Sequence, residues 1–403
     1  MINKKAAVQV ISGLFAGLVF LYTIPSCIYA ETINTGIILA DDQGNILYAQ
    51  NKEKPYVPAS TLKILTSLAA IHILGEDYHF PIHYDYDEKS KNLYIKGYGD
   101  PLFTSEVIED LSQDIILKTK IKEAHHILID QSYYAKQIDI PGKGDSLNPY
   151  DAPVGALCAN FNTIMFQWDN QIKRFISGEL QTPLLDFFQD DIKKTNLKQG
   201  RIILSQSQSY LYPGLLLKYF LEKKRMSVTG SVRVENLSLK NEKANIFLSP
   251  YELKTVIQRL LQYSNNFIAN QLFLSIGAKA YGEPATLEKG VQAVRNFSSR
   301  HLNLNTLVID EGSGLSRSNR ISPDQMLKLL IDFMPYHELM RHEENDFFKT
   351  GTLTGVRTRA GYLLGKDDKL YPYIIMINEE NTGYDSILSY LKNRVNQLGK
   401  NKG

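Results

Sequence analysis

A mixed α/β fold of the α+β type, with one β-sheet assembled from both chain ends and helices flanking it, is predicted by three features of the sequence. An apolar strand pair stands near the start, helical stripes follow residue 249, and strand-like runs return near the end. Between the first helix and the later ones, residues 77–245 change texture and read as one or two inserted mixed α/β lobes.

Residues 36–48 place two β-prone apolar runs around Asp41-Asp42-Gln43-Gly44-Asn45, which predicts a hairpin. Pro55 and Pro58 close that segment. Residues 60–74 then carry Ile64, Leu65, Leu68 and Ile71 at helical spacing, with Gly75 as the stop. Short strand-like runs at 93–95, 126–129 and 201–204 alternate with polar loops such as Gly142-Lys143-Gly144-Asp145, without internal repeats. Ser249-Pro250 is expected to open a helix as N-cap and first-turn proline, with Glu252 near its positive end. Leu253, Val256, Ile257, Leu260 and Leu261 form its stripe, and 266–276 is a second apolar helix. Residues 306–309, 347–348, 361–364 and 373–377 are expected strands, with Lys366-Asp367-Asp368 turning between the last two. An amphipathic helix over 386–398 ends the pattern. The organisation expected is 1–30 as a leader, 31–76 with 246–403 as the main domain, and 77–245 as the insert.

The leader reading rests on Lys4-Lys5, an almost uncharged apolar run over 6–24, and small Ala30 before Glu31, the pattern of a cleaved signal peptide. The run is also long enough to remain as a membrane anchor, and Ile24-Pro25-Ser26-Cys27 faintly resembles a lipoprotein box, which would attach a lipid to Cys27. Each version puts the body outside the cytoplasm, in the periplasm or an equivalent space. Without Lys4 and Lys5 the chain carries 43 basic and 43 acidic residues, so no electrostatic drive toward nucleic acid exists. With Cys27 gone, Cys158 is left without a disulfide partner and is expected to be a small buried residue.

Chemistry concentrates in three short segments. In Pro58-Ala59-Ser60-Thr61-Leu62-Lys63, positions i and i+3 of a helix bring the Ser60 hydroxyl beside the Lys63 amine. A serine is a poor nucleophile until its proton is removed, and a lysine of depressed pKa can remove it. A helix N-terminus adds N–H groups for a developing oxyanion. The same spacing recurs as a decoy, Ser389 to Lys392, in the last helix. Ser264-Asn265-Asn266 falls between two helices, where its side chains either cap a helix or project into a cleft; Ser146-Leu147-Asn148 repeats the pattern in a loop. Lys349-Thr350-Gly351-Thr352, on an expected strand, offers a cation for a carboxylate and a glycine that lets a backbone approach closely.

In that order the three segments resemble the signature of serine β-lactamases and penicillin-binding proteins. Two hundred residues separate Lys63 from Ser264, and that spacing is similar to the class C low-molecular-mass penicillin-binding proteins, the D-alanyl-D-alanine carboxypeptidase/endopeptidase family. Gly97-Tyr98-Gly99-Asp100-Pro101, Ala152-Pro153-Val154 with Asn160 and Asn162, 310–317, and 349–355 also resemble that family. Asn265 stands where aspartate is frequent, and the insert is compact beside larger members. The resemblance implies a β-lactamase/transpeptidase-like sheet with flanking helices and an exported hydrolase acting on peptidoglycan stem peptides and acylated by β-lactams. It implies Ser60 as nucleophile, Lys63 as base, Ser264 as proton relay and Asn266 as binder of the peptide amide. Lys349, Thr350 and Gly351 would receive the terminal carboxylate and adjoining backbone, and the N–H groups of Ser60 and Thr352 would form the oxyanion hole. No cofactor or metal is implied. Two alternatives stay open on the same scaffold: a β-lactamase or esterase, and a penicillin-recognising sensor without turnover.

No Leu-Asn pair at 147, 302 or 304 has a glutamate three residues earlier, so the deacylating loop of class A β-lactamases is missing. His337 and His342 are five residues apart, which turns them to different faces of a helix and removes the zinc-protease reading. Gly312-Ser313-Gly314 reads as a tight turn rather than a phosphate loop.

Overall fold

Thr35-Gly36-Ile37-Ile38-Leu39-Ala40 has no side chain that needs water, and it forms strand β1 (Thr35–Ala40), buried on both faces inside a sheet. The computed structural model describes residues 34–144, 151–236, 244–380 and 382–398. The expected leader with Cys27 and Ala30, and Ser146-Leu147-Asn148, lie outside the described residues. After β1 come β2 (Ile46–Gln50), a 3₁₀ turn (Ala59–Leu62), α1 (Lys63–Leu74), β3 (His79–Asp87), β4 (Asn92–Gly97), α2 (Ser105–Thr119), β5 (Glu123–Ala124) and β6 (Ile127–Asp130). The next elements are β7 (Thr163–Asp169), β8 (Arg174–Ser177), α3 (Gln189–Lys194), β9 (Gln199–Ile203), α4 (Gln206–Lys223), β10 (Ser227–Val228), β11 (Val232–Val234) and β12 (Asn245–Glu252). Helices α5 (Leu253–Tyr263), α6 (Asn266–Tyr281), α7 (Leu287–Leu302) and α8 (Pro323–Phe333) precede β13 (Arg341–Glu343), β14 (Asp346–Leu353), β15 (Val356–Leu364), β16 (Leu370–Ile377) and α9 (Asp385–Leu398).

The main sheet runs β13-β14-β15-β16-β1-β2, antiparallel throughout, and so joins the first strands to the last. Alternation along β1 splits its side chains between two cores. Ile38 and Ala40 face the helical layer of α1, α5, α6, α7 and α8, whereas Ile37 and Leu39 meet Leu391 and Val395 of α9. Helices α1 and α6 are apolar around most of their circumference and are buried accordingly, α6 from Asn266 through Ala278. Both begin at the same end of the helical layer, so their first residues come together.

A second sheet, β11-β6-β4-β3-β12, has its own core with α2 and α4, and β8-β7-β9 forms a smaller sheet beside it. Cys158 is buried, hydrogen-bonded by Asn162, and its thiol is pushed up to about 12 by that burial.

Two expected elements differ. Ser249-Pro250 does not open a helix: both lie in β12, whose Phe247 and Leu248 pair with Ile82 and Pro81 before a bulge, and α5 starts at Leu253 with Glu252 as N-cap. Pairing with β3 overrides the local capping signal. Residues 306–309 form no strand; Val308 makes one bridge to Arg320, while Leu307 and Ile309 turn into the helical core.

Under the main sheet, Asp346 accepts from Arg359 Nη2 and from the Tyr373 hydroxyl, each at 2.7 Å, and Lys392 of the decoy pair lies 3.4 Å away. Asp346 is fully buried and Arg359 nearly so. Removing the carboxylate strands a buried guanidinium. Asp346→Ala should lower the unfolding free energy by about 3–5 kcal/mol in a urea titration, and a change below about 1 kcal/mol would contradict a buried ion pair here.

Candidate active site

Ser60 sits on the 3₁₀ turn that leads into α1, where residues three apart eclipse rather than merely share a face. That aligns Ser60 with Lys63, and Lys63 Nζ lies 2.8 Å from Ser60 Oγ. The turn is pinned on both sides. Pro58 C=O accepts from Thr61 Oγ1 and from Thr358 Oγ1 of β15, each at 2.7 Å. Ala59 is held at φ 47°, in the left-handed region, and a Cβ on Gly314 (φ 85°) would overlap the Ala59 carbonyl oxygen.

Lys63 is completely buried. Its Nζ reaches Asn266 Oδ1 and the Ser313 carbonyl, both at 2.6 Å, besides Ser60. Burial holds its pKa well below the usual lysine range, the nearby Lys349 ammonium adds to the effect, and Glu311 opposes it. A neutral amine has two N–H donors and one lone pair. Lys63 Nζ is within donating distance of Ser60 Oγ as well; were the amine neutral, Asn266 Oδ1 and Ser313 C=O, which can only accept, would take its two donors and leave the lone pair for the Ser60 hydroxyl. In that form the amine could take a proton from the Ser60 hydroxyl.

The loop carrying Ser313 is tied to both central helices: Thr66 Oγ1 donates to Gly312 C=O at 2.6 Å, and Gly312 N donates to Asn270 Oδ1 at 3.1 Å. Between α5 and α6, Asn265 is the cap, its side chain accepting from Ile268 N at 3.2 Å. Ser264 therefore does not cap α6; it is the left-handed C-cap of α5 (φ 56°) and is half-buried two residues before Asn266. Lys63 Nζ bonds Ser60, Asn266 and Ser313 and Lys349 Nζ bonds Thr350, so neither lysine hydrogen-bonds Ser264.

Lys349 and Gly351 share one face of β14. A Cβ on Gly351 would overlap Thr358 Oγ1 and press on Ser60 N, so the strand touches the serine turn only because that position is glycine. Lys349 is nearly fully buried, donates to Thr350 C=O at 2.8 Å, and is pushed down to about 7 by burial and by Arg341. Thr350 and Thr352 follow the pleat to the other side, half-buried and exposed respectively. Lys63 is thus in direct contact with Ser60 and Asn266, Gly351 lies against Ser60, and Lys349 acts on Lys63 through its charge. The Ser313 carbonyl and Thr358 were missed from sequence: a backbone acceptor leaves no composition signal, and Thr358 looks like any β-branched strand residue.

Among the described residues no group of three His, Cys, Asp or Glu side chains could hold a metal ion. His337 and His342 both pack on the Phe347 ring, at 4.7 and 4.2 Å between centroids.

The fold is shared with solved penicillin-binding proteins. Penicillin binding protein 4 (dacB) from Haemophilus influenzae matches with a TM-score of 0.70 at 19% identity, covering 91% of this chain and 96% of that one. A predatory peptidoglycan endopeptidase from Bdellovibrio bacteriovorus matches with a TM-score of 0.55 at 18% identity, over 91% and 92%. The former has been solved with a β-lactam and the latter acylated by penicillin G. By sequence the chain belongs to the D-Ala-D-Ala carboxypeptidase 3 (S13) family, whose profile matches residues 29–199 and 194–342. The D-alanyl-D-alanine carboxypeptidase of Actinomadura sp. strain R39 is 22% identical over 83% of this chain and 76% of that protein.

The buried lysines make stability depend on pH with a definite sign. The folded pKa of Lys349, about 7, lies below its unfolded value near 10.5, so between them the unfolded state binds more protons and stability rises with pH. Unfolding free energy should climb from pH 7 toward pH 9.5 by up to about 1.4 kcal/mol per pH unit per lysine. Denaturant titrations of Lys349→Met should show a flatter rise; an unchanged slope would mean that Lys349 is charged in the folded protein.

Proposed function

We propose that this chain is an exported serine-type D-alanyl-D-alanine carboxypeptidase/endopeptidase that hydrolyses peptidoglycan stem peptides and is acylated by β-lactams. The observation that carries the reading is the Lys63 amine, 2.8 Å from Ser60 Oγ with its donors committed to two acceptors. Family membership supplies the substrate class.

Ser60 Oγ attacks the carbonyl carbon of the penultimate D-alanine as its proton passes to Lys63. The oxyanion is met by the backbone N–H groups of Ser60 and Thr352. The peptide C–N bond then breaks as Ser264, assisted by Lys349, delivers a proton to the departing D-alanine amine and takes up the one held by Lys63, which leaves Lys63 neutral again. A water molecule attacks the ester, its proton is taken up by the same base, and Ser60 is released with its hydroxyl restored. Asn266 already gives its oxygen to Lys63, so its Nδ2 is the end free to hold the substrate amide. Lys349 and Thr350 receive the terminal carboxylate, and Gly351 allows the substrate backbone close to the strand. A β-lactam acylates Ser60 in the same way by opening its ring.

In this reading 31–76 with 246–403 form the catalytic domain and 77–245 the insert, with β12 crossing that boundary because it pairs with β3. Residues 1–30 act as a signal peptide cut after Ala30, which delivers the protein to the periplasm or an equivalent extracytoplasmic space.

Ser60→Ala should abolish covalent labelling by a fluorescent penicillin, read after denaturing electrophoresis, and should reduce peptide turnover by about 10⁴-fold or more. Lys63→Ala should come close to it, and Ser389→Ala should label like the parent. Undiminished labelling of Ser60→Ala would sink the assignment.

A further inference from the structure

Glu311 is fully buried in the loop that gives its Ser313 carbonyl to Lys63, and the acylation steps above make no use of it. Its carboxylate receives five hydrogen bonds from within that loop. Oε2 accepts from Ser313 N at 2.6 Å and Ser313 Oγ at 2.5 Å, and Oε1 accepts from Gly314 N at 2.7 Å, Ser316 N at 3.3 Å and Asn319 Nδ2 at 2.9 Å. The two residues most tightly held, Ser313 and Gly314, are those that touch the catalytic turn: one through its carbonyl on Lys63, the other through its close approach to Ala59. A loop of two glycines and three serines has little stiffness of its own, and this carboxylate supplies it.

We propose that Glu311 is a positioning residue of the acylation step, which holds the Ser313 carbonyl against Lys63 Nζ and sets one negative charge behind that amine. The inference rests on the reading of Ser60 and Lys63 as nucleophile and base. The charged groups around Lys63 are few. Lys349 on β14 disfavours a proton on it and Glu311 favours one, whereas α6 contributes only the amides Asn266 and Asn270. Asp310 and Arg317 on the same loop are engaged elsewhere, with Ser316 Oγ and the Thr354 carbonyl. Glu311 therefore keeps the pKa of Lys63 from falling as far as burial and Lys349 alone would take it, so that the amine remains basic enough to take the serine proton.

Two variants of the full chain test this, with acylation rates by fluorescent penicillin measured across the acid limb of the pH profile and thermal unfolding recorded beside them. Glu311→Gln removes the charge and turns an amide donor toward Ser313 N. Acylation should slow about tenfold or more, and the acid limb should move down by about one pH unit, because Lys63 loses the group that favoured its proton. Glu311→Asp keeps the charge but shortens the reach, so the rate should fall while the limb stays in place. A folded Glu311→Gln protein with the parent rate, or with a slower rate and an unmoved limb, overturns the proposal. Should Glu311→Gln not fold, Glu311→Asp decides: the parent rate there overturns it. A parent protein that takes no label at all disposes of the serine–lysine reading itself, which is a separate outcome.

Discussion

One buried amine organises this protein. Placing a lysine where no water reaches it is unfavourable unless the group loses its proton or gains partners; burial pulls the pKa of Lys63 well down, and three acceptors surround its Nζ. Its partners come from three distant parts of the chain: Ser60 from its own turn, Asn266 from the start of α6, and Ser313 from the loop before α8. Helices α1 and α6 must start at one end of the helical layer for this contact to form, and the loop at 311–314 must straddle both. Much of the surrounding structure can be understood as what fixes those three approaches.

The sheet acts on the same point from the opposite side. Thr358 of β15 grips the Pro58 carbonyl, and Gly351 of β14 lets the strand press against Ser60 N. Lys349 arrives on that strand already buried, with its pKa depressed to about 7 by burial and by Arg341, and it in turn discourages charge on Lys63. The burial that lowers the pKa of Lys63 also costs folding free energy at neutral pH.

Which residues meet at the candidate site was more legible in the sequence than some of the elements around it. Ser60, Lys63, Asn266 and Gly351 stand in short motifs whose spacing follows from helix and strand geometry, and the structure brings them together, with Lys349 two residues before Gly351 on the same strand face. The first hairpin and the late strands could be read because continuous apolar runs bounded by turn residues survive without tertiary information. Ser249-Pro250 misled because a serine–proline pair signals a helix start only when nothing pairs with the backbone, and β3 does. Residues 306–309 misled because buried apolar residues in a loop carry the same composition as a strand. The Glu311 carboxylate and the Ser313 carbonyl act through backbone groups that composition does not register, and only the folded loop brings them to Lys63.

The protonation state of Lys63 is the point on which the chemistry turns, and it can be observed directly. Protein labelled with ¹⁵N at lysine Nζ, with the Lys63 resonance assigned by its loss in Lys63→Arg, can be titrated by NMR without any substrate. A Lys63 resonance that titrates several pH units below the other lysines, and is that of a neutral amine at mildly alkaline pH, is the expected result. A resonance that stays that of an ammonium until the surface lysines titrate would contradict a neutral base at Ser60, and the proton would need another acceptor.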